Sequence, residues 1–453
     1  MSQPVTHQHW SSRFGFILAA VGSAVGLGNI WKFPYIAGEN GGGAFVLIYL
    51  FFVFLIGAPI MIAEFVIGRA GGKNALGSFK QLEPKKPFWQ SIGGLGIITA
   101  FCIISFYSVV GGWVIGYIFE AIRFSFASFT TAKDASAHFG NLISNPTWTL
   151  MLHGLFMALT AFIVVRGIKK GIEYWCKILL PILALILLVL MIWGLTMPNA
   201  YEGLVYLFRP NFSELSWNAC LIAMGHAFFT LSVGMGVMIT YGSYLHKNIN
   251  IISTSLTIVL FDTLVAIWAG IAIFCPIFSL GMTPDAGPGL IFHVLPMVFQ
   301  QIPGGYIFGI LFFILLGIAA VSSAISLLEA PVSYLVEEKS FSRKKATLLV
   351  SIVAFLIGIP CALSFSSLSE IKWFFNRNFF DFMDYISSNI FLTLGGLGIA
   401  LFIGFSWKVA NAFKELEKGA GHQKGFIKLW GFLIRWVCPI AVGIILIAKL
   451  MQF

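Results

Sequence analysis

The chain has 453 residues, of which 58% are hydrophobic and only 10% are charged, and its mean hydropathy is +0.91. A soluble domain carries about 25% charged and 45–50% apolar residues, so this composition excludes an ordinary soluble enzyme, a disordered chain and a nucleic-acid-binding module. The formal charge of +10 comes from basic residues in short loops between apolar segments, which is typical of membrane proteins. The six cysteines show no paired spacing, so neither a disulfide framework nor a zinc site is predicted.

Apolar segments long enough to cross a bilayer recur along the whole chain. Crossing takes about 20 residues, and eleven segments meet that requirement: 13–36, 42–69, 89–123, 148–165, 172–196, 215–245, 250–281, 304–337, 345–364, 377–405 and 428–451. Basic residues follow the even-numbered spans, whereas the loop at 282–303 has no Lys or Arg. Cytoplasmic loops carry the excess of Lys and Arg, so we expect a cytoplasmic N-terminus and a C-terminus outside. Residues 1–453 form a single transmembrane domain in this interpretation.

Two spans carry helix-weakening residues at mid-membrane. The first has Gly22, Gly26 and Gly28 beside Asn29, and the sixth has glycines and hydroxyls over 230–236. Each glycine weakens a helix by about 1 kcal/mol relative to alanine. For a lone pair of glycines, a close-packing face is the more common explanation. Two interrupted spans that lie five apart in order instead indicate inverted repeats around a mid-membrane binding site.

We therefore predict an all-α membrane protein built from two inverted five-helix repeats. The first repeat covers about 13–196, the second about 215–405, and an additional helix covers about 428–451. The first and sixth helices are expected to unwind beside each other. Freed N–H groups then bind an anionic group, and freed carbonyls bind sodium.

The residues of the two broken spans resemble the sequence signature of a known protein family. The run Gly22-Ser-Ala-Val-Gly-Leu-Gly-Asn-Ile-Trp-Lys-Phe-Pro34, followed by Glu39-Asn-Gly-Gly-Gly-Ala-Phe45, resembles the opening signature of the neurotransmitter:sodium symporter family, and 228–236 resembles its sixth helix. The resemblance runs from Trp10 to the end of the chain. Eleven spans without a twelfth are similar to the bacterial members, including those that carry hydrophobic amino acids. The resemblance implies the leucine-transporter-like fold, alternating access, no enzymatic chemistry and a location in the bacterial cytoplasmic (inner) membrane.

The resemblance also implies two sodium sites, with no other cofactor. Their ligands supply oxygen, which suits a hard cation. Site one matches Ala24, Asn29, Thr230 and Asp262, and site two matches Gly22, Val25, Ala319, Ser322 and Ser323. Serines bonded to their own helix are the alternative for a lone Ser in a membrane helix.

The implied substrate is an amino acid that lies between these sites. Its carboxylate meets the Leu27 and Gly28 amides and Tyr107, and its ammonium meets the carbonyl region near Ala24, Phe229 and Thr230. The full set of matching positions is Ser23, Ala24, Leu27, Gly28, Ile103, Tyr107, Phe229, Thr230, Ser232, Met235, Ser323 and Leu327. Ordinary core packing is the alternative for the aromatic members.

Two positions narrow the range of expected substrates. Monoamine carriers have an aspartate where this chain has Gly26, so the substrate is expected to bring its own carboxylate. Met235 is flexible and polarisable, so its pocket adapts to several apolar or aromatic side chains. We expect large hydrophobic L-amino acids such as Leu, Phe, Tyr or Trp.

Asp262 lies in an apolar run, where an ionised carboxylate costs about 2.5–3.5 kcal/mol and needs a partner. The alternative is a protonated or Thr-bonded carboxyl group. Tyr49, His226, Thr230 and Asp262 match the chloride neighbourhood of chloride-dependent relatives, and Ala266 matches a glutamate of some bacterial ones. We expect Asp262 to supply the negative charge, so that chloride is dispensable. His226 replaces the usual glutamine, and both proton antiport and a structural role stay open for it.

The resemblance places gates at both ends of the binding region. Lys32 and Asp384 match the outer pair, and Tyr107 and Phe229 form the lid over the substrate. Glu337 matches the acidic partner of the inner gate, but its usual arginine partner is replaced by His7. Isolated charges are more often solvated loop ends. The Gly171–Pro181 spacing is associated with unwinding of the fifth span in bacterial relatives.

The alternatives are a membrane enzyme, an amino-acid sensor and a carrier of a different solute. A membrane enzyme is rejected because the histidines show no metal-ligand spacing apart from His7 and His9. An amino-acid sensor without transport, and a carrier for a small amino acid or a GABA-like solute, stay open. The oligomeric state and the ion stoichiometry are not specified by the sequence.

Overall fold

The structure is a computed structural model that describes residues 8–129, 131–282, 287–302, 304–373, 376–420 and 424–451. Across these ranges the chain is a bundle of helices. Nine described helices are long and apolar enough to cross a membrane: Gly43–Gly71, Phe88–Ile122, Pro146–Val164, Ile168–Leu195, Ile251–Ser279, Gly305–Glu338, Arg343–Leu363, Phe379–Ser406 and Gly425–Leu450. Four of them contain π-helical turns: Val53–Gly57, Ile168–Glu173, Leu433–Val437, and both Tyr385–Phe391 and Phe402–Ser406 in one helix. A further π turn, Gly28–Lys32, lies in the broken first span.

The first and sixth predicted spans are the two broken ones. The first consists of Arg13–Ala24 and Gly28–Glu39, which are bent by 46° at the break. The sixth consists of Trp217–Thr230 and Val237–Ser243. These last two helices have 14 and 7 residues, so neither crosses a bilayer alone. The predicted total of eleven spans requires each broken pair to count as one, and that total stays a prediction.

Short helices connect the long ones. They are Ala75–Leu82, Ala132–Ile143, Ala200–Phe208, Val294–Gln301 and Val409–Ala420, with 3-10 turns at Ser125–Ser128, Phe212–Glu214 and Gly287–Leu290. The loop predicted at 282–303 is therefore partly helical. In the described chain, these connectors cover the ends of the bundle, and the apolar core lies between the long helices.

Backbone geometry accounts for both breaks. The first helix ends at Ala24 because Val25 takes an extended conformation, with φ −72° and ψ 103°. In the sixth span, Ser232, Gly234 and Gly236 have φ values of +52°, +85° and +70°, a region that glycine adopts without steric cost. A Cβ on Gly234 would lie 2.3 Å from the carbonyl oxygen of Leu392. Glycine is therefore required there by both conformation and packing.

Glu64 of the second span holds the broken sixth span in place. Its side chain is fully buried. Its Oε1 accepts a hydrogen bond from the Gly234 N–H at 2.5 Å, and its Oε2 accepts one from the Ile239 N–H at 3.3 Å. The carboxylate thus binds one N–H of the break and one in the first turn of Val237–Ser243, where the helix dipole favours negative charge.

We expect Glu64→Ala to destabilise the protein more than Glu64→Gln. Alanine leaves two buried N–H groups unpaired, at a cost of about 1–3 kcal/mol each, whereas glutamine keeps one acceptor oxygen. Thermal unfolding of the purified protein measures the difference, with the exposed Glu417→Ala as the control. Equal unfolding temperatures for Glu64→Ala and wild type would contradict this role.

Candidate functional site

Three buried polar side chains from three spans meet beside the breaks. The Asp262 carboxylate is fully buried. Its Oδ1 accepts hydrogen bonds from Asn29 Nδ2 at 2.7 Å and from Thr230 Oγ1 at 3.0 Å. The other amide atom of Asn29, Oδ1, accepts the Gly26 N–H at 3.1 Å. Three of the four residues predicted for the first sodium site are therefore in contact, and the fourth, Ala24, lines the adjoining cavity.

A second group of oxygen atoms lies where the first span meets the eighth. Ser323 Oγ is within 3.3 Å of the carbonyl oxygens of Gly22 and Val25. Ser322 Oγ lies 3.0 Å from the Ala319 carbonyl and 3.5 Å from the Val25 carbonyl. All five residues predicted for the second sodium site are thus brought together. Ser322 also bonds its own helix, which is the alternative considered for a lone serine.

One small cavity lies between the two oxygen groups. The residues that line it include all twelve predicted for the substrate, together with Gly26: Ser23, Ala24, Gly26, Leu27, Gly28, Ile103, Tyr107, Phe229, Thr230, Ser232, Met235, Ser323 and Leu327. Water-sized molecules have about 20 Å³ of space there, enough for about one water. A bound amino acid therefore requires these side chains to move apart.

Polar groups from both breaks point to this cavity. The Leu27 N–H donates to the Tyr107 hydroxyl at 3.3 Å, and Ser232 Oγ donates to the Ser23 carbonyl at 2.8 Å. Thr230 and Ser323 line the cavity and also belong to the two oxygen groups. Any molecule in the cavity is thus within reach of both groups.

A larger outer cavity lies above the small one, with about 310 Å³ of space for water-sized molecules. Tyr107 and Phe229 line both cavities and form the boundary between them. Lys32 Nζ lies 4.7 Å from the centre of the Phe229 ring, a cation–π contact. Lys32 and Asp384 both line the outer cavity, but in the described chain they form no ion pair within 4.0 Å. Asp384 instead accepts Ser388 Oγ at 2.8 Å.

The partner of Glu337 at the inner gate stays open, although the structure gives Glu337 a contact with Asn74. Glu337 Oε2 accepts hydrogen bonds from the main-chain N–H of Asn74 at 2.6 Å and from Asn74 Nδ2 at 3.0 Å, while His7 lies outside the described residues. The N-terminal segment is bound instead through Ser11, whose N–H donates to Glu173 Oε2 at 2.8 Å. Trp10 is buried, and its Nε1 donates to the Tyr241 carbonyl at 3.0 Å. Sequence reasoning did not single out these contacts.

The fifth span is helical in this conformation. Gly171 lies in the π turn Ile168–Glu173, and Pro181 lies inside the continuous helix Tyr174–Leu195. The proline still lacks an N–H, so one carbonyl of the preceding turn loses its usual partner. The unwinding associated with the Gly171–Pro181 spacing is absent from this conformation and stays a prediction.

His226 lies in an aromatic environment close to the first oxygen group. Its ring centre is 5.3 Å from that of Tyr49 and 6.2 Å from that of Phe33. Within the described residues, neither ring nitrogen of His226 has a hydrogen-bond partner. The structural-donor role left open for His226 therefore has no acceptor here.

Glu64 is the main functional residue that sequence reasoning missed. It is a single carboxylate in the apolar run 58–67, as Asp262 is in the run 258–265. A charged residue at membrane depth is expected to have a partner, and this expectation holds for Glu64 as it does for Asp262.

Comparison with known proteins agrees with this geometry. The model of the sodium:neurotransmitter symporter family matches residues 7–136 and 140–453. An uncharacterised sodium-dependent transporter of Bacillus subtilis is 41% identical over 96% of this chain and 96% of its own length, and one of Haemophilus influenzae is 37% identical over 98% of each.

A solved structure shares the fold. The crystal structure of MhsT in complex with L-phenylalanine is 47% identical in sequence and superposes with a TM-score of 0.90, covering 98% of this chain and 99% of that one. The predicted leucine-transporter-like fold, with broken first and sixth helices, is thereby confirmed. The protein is a multi-pass membrane transporter rather than an enzyme, and its chain belongs to the sodium:neurotransmitter symporter family.

Proposed function

We propose that this protein carries hydrophobic or aromatic L-amino acids into the cell together with sodium, by alternating access and without chloride. The observation that carries the proposal is the small cavity between two groups of oxygen atoms, lined by the residues matched to the substrate site. The two repeats, about 13–196 and 215–405, alternately open this cavity to each side. We place the carrier in the bacterial cytoplasmic membrane, with its N-terminus inside and its C-terminus outside.

The lining of the cavity favours a zwitterion with an apolar side chain. Ile103, Met235 and Leu327 supply apolar surface. A Cβ on Gly26 would lie 2.3 Å from Ser323 Oγ and 3.2 Å from the Tyr107 hydroxyl, so a larger residue there would require these two side chains to shift. The chain has no acidic side chain at position 26. With no such acid to pair an amine, the substrate supplies its own carboxylate. The relative solved with L-phenylalanine supports an aromatic substrate.

The two oxygen groups are proposed to bind sodium. Ala24, Asn29, Thr230 and Asp262 form the first site, and the substrate carboxylate completes it. Gly22, Val25, Ala319, Ser322 and Ser323 form the second. All the donor atoms are oxygens, which suits a hard cation. Because the substrate carboxylate is a ligand of the first sodium site, sodium and the amino acid strengthen each other's binding by the same factor.

The sodium gradient supplies the driving force. The membrane potential contributes about 2.3 kcal/mol per charge per 100 mV. Two sodium ions that enter with a zwitterion therefore gain about 4.6 kcal/mol at 100 mV, which corresponds to a concentration ratio of about 2,000. Their movement requires no covalent step.

Uptake into proteoliposomes tests the proposed function. We expect radiolabelled phenylalanine to accumulate when sodium is high outside and not when choline replaces it. Excess unlabelled leucine, tyrosine or tryptophan should compete, whereas glycine and GABA should not. Sodium-dependent binding without accumulation would identify a sensor, and competition by GABA or glycine alone would identify a carrier of small solutes; either result contradicts the proposal.

Asp262 is expected to make chloride dispensable, because its buried carboxylate already supplies the negative charge beside the first sodium site. Replacing chloride with gluconate should leave phenylalanine uptake by the wild type unchanged. Asp262→Asn removes that charge and should lower uptake at least about tenfold, the loss expected when about 1.4 kcal/mol of charge interaction is removed. A strict chloride requirement in the wild type would contradict this role.

The second sodium site is tested at Ser323. Ser323→Ala removes one oxygen ligand, so we expect the sodium concentration for half-maximal phenylalanine binding to rise about 5-fold or more, equivalent to about 1 kcal/mol. Ser333→Ala is the matched control, because that buried hydroxyl only donates to the Ala330 carbonyl of its own helix, at 2.9 Å. An unchanged sodium requirement in Ser323→Ala, measured by scintillation proximity, would contradict the assignment.

A further inference from the structure

An arginine lies on the outside of the last span, close to one end of the bundle. Arg435 belongs to the helix Gly425–Leu450 and is exposed. A Cβ on Gly404 would lie 3.2 Å from the Cα of Arg435, so the two helices pack closely at this level. Gly404 comes just before Ser406, where the helix Phe379–Ser406 ends. Arg435 therefore lies near the membrane boundary, on the lipid-facing side of two spans.

No acidic side chain among the described residues neutralises this arginine. The Arg435 guanidinium has no hydrogen-bond acceptor and no carboxylate within 4.0 Å in that part of the chain. It contacts two aromatic rings instead: its central carbon lies 5.3 Å from the centre of the Phe405 ring and 5.3 Å from the centre of the Trp436 ring. A charge beside lipid hydrocarbon is costly and usually has a partner. The two rings support the guanidinium and leave its N–H groups available to an acceptor outside the protein.

The surroundings of this arginine combine further positive charge with apolar surface. Lys428 lies about two turns earlier in the same helix and is exposed, as is Lys408, which follows the end of the tenth span. Phe432 and Ile440 of the last span are exposed as well. Basic side chains at the membrane boundary attract anionic lipid headgroups, and exposed apolar side chains next to them offer a surface for acyl chains.

We propose that Arg435 binds the phosphate of an anionic phospholipid of the phosphatidylglycerol type. The planar guanidinium offers two parallel N–H groups to the phosphate oxygens, and Lys428 adds a second positive charge. The acyl chains pack along Phe405 and Trp436, so that the lipid bridges the tenth and last spans. With the proposed orientation this is the cytoplasmic leaflet, whose surface potential is negative because of anionic lipids. Only the choice of leaflet rests on the proposed function.

Native mass spectrometry of the purified full-length protein in ammonium acetate, titrated with dioleoylphosphatidylglycerol, tests the proposal. We expect the wild type to bind the first molecule of this lipid about fivefold more tightly than dioleoylphosphatidylcholine, whose headgroup is zwitterionic. Arg435→Gln should weaken binding of the anionic lipid about fivefold, the usual contribution of one basic residue near an anionic surface. Arg435→Lys keeps the charge and should bind within about twofold of the wild type. Lys428→Gln is a second variant, expected to weaken binding in the same direction.

Arg123→Gln is the matched control. It makes the same chemical change at an exposed arginine that follows the helix Phe88–Ile122. The other end of that helix lies near the proposed lipid site, because Lys86 Nζ donates to Ser406 Oγ at 3.1 Å. Arg123 is thus at the opposite end of the bundle, and its replacement should leave binding of the first anionic lipid unchanged.

Four results would overturn the proposal. The first two are equal affinity of the wild type for the two lipids, and equal affinity of the wild type and Arg435→Gln for the anionic one. The third is an equal loss in Arg123→Gln, which would show attraction to the net charge alone. The fourth is a change from dimer to monomer in Arg435→Gln with lipid binding unchanged, which would assign this face to a second copy of the chain.

Thermal unfolding of each variant checks that it is folded. Arg435 is exposed and has no hydrogen bond to the described residues, so Arg435→Gln is expected to unfold at the wild-type temperature. Because the titration uses neither sodium nor an amino acid, its failure is distinguishable from failure of the proposed transport function.

Discussion

The structure depends on satisfying backbone polar groups where two helices are broken inside a membrane. Hydrocarbon offers no hydrogen bonds, so irregular backbone at that depth persists only if other parts of the protein supply partners. Here the partners come from neighbouring spans. Glu64 accepts the Gly234 N–H, and Tyr107 accepts the Leu27 N–H. The breaks are thus held open by side chains anchored in unbroken helices.

The same requirement brings two groups of oxygen atoms together on either side of one small cavity. Carbonyls freed from the first helix lie beside the hydroxyls of Ser322 and Ser323, and Asn29 and Thr230 meet Asp262. Because Thr230 and Ser323 also line the cavity between these groups, a change at either group reaches the cavity directly. This arrangement provides a physical basis for coupling ion and solute binding.

The outer side of the molecule is organised around Phe229. Its ring borders the small cavity and the outer cavity, and Lys32 lies over it. An outer ion pair between Lys32 and Asp384 is replaced here by this cation–π contact and by the bond between Ser388 and Asp384. A lysine lacks the planar fork that favours a bidentate pair with a carboxylate.

The sequence by itself determined the membrane class and the two breaks, and it predicted residues that line one small cavity in the structure. These follow from local signals: long apolar runs, glycines beside polar residues, and a motif over 22–34 specific enough to indicate the family. Asp262 was named by the family resemblance, and its place in an apolar run added the expectation of a partner.

Only the tertiary structure decided which groups meet across distant parts of the chain. The partners of Glu64 lie 170 and 175 residues away, and Ser11 meets Glu173 across 162 residues. Lys32 and Lys449, near opposite ends of the sequence, line the same cavity on the outer side of the bundle. Local periodicity carries no information about such contacts, because they depend on how whole helices pack.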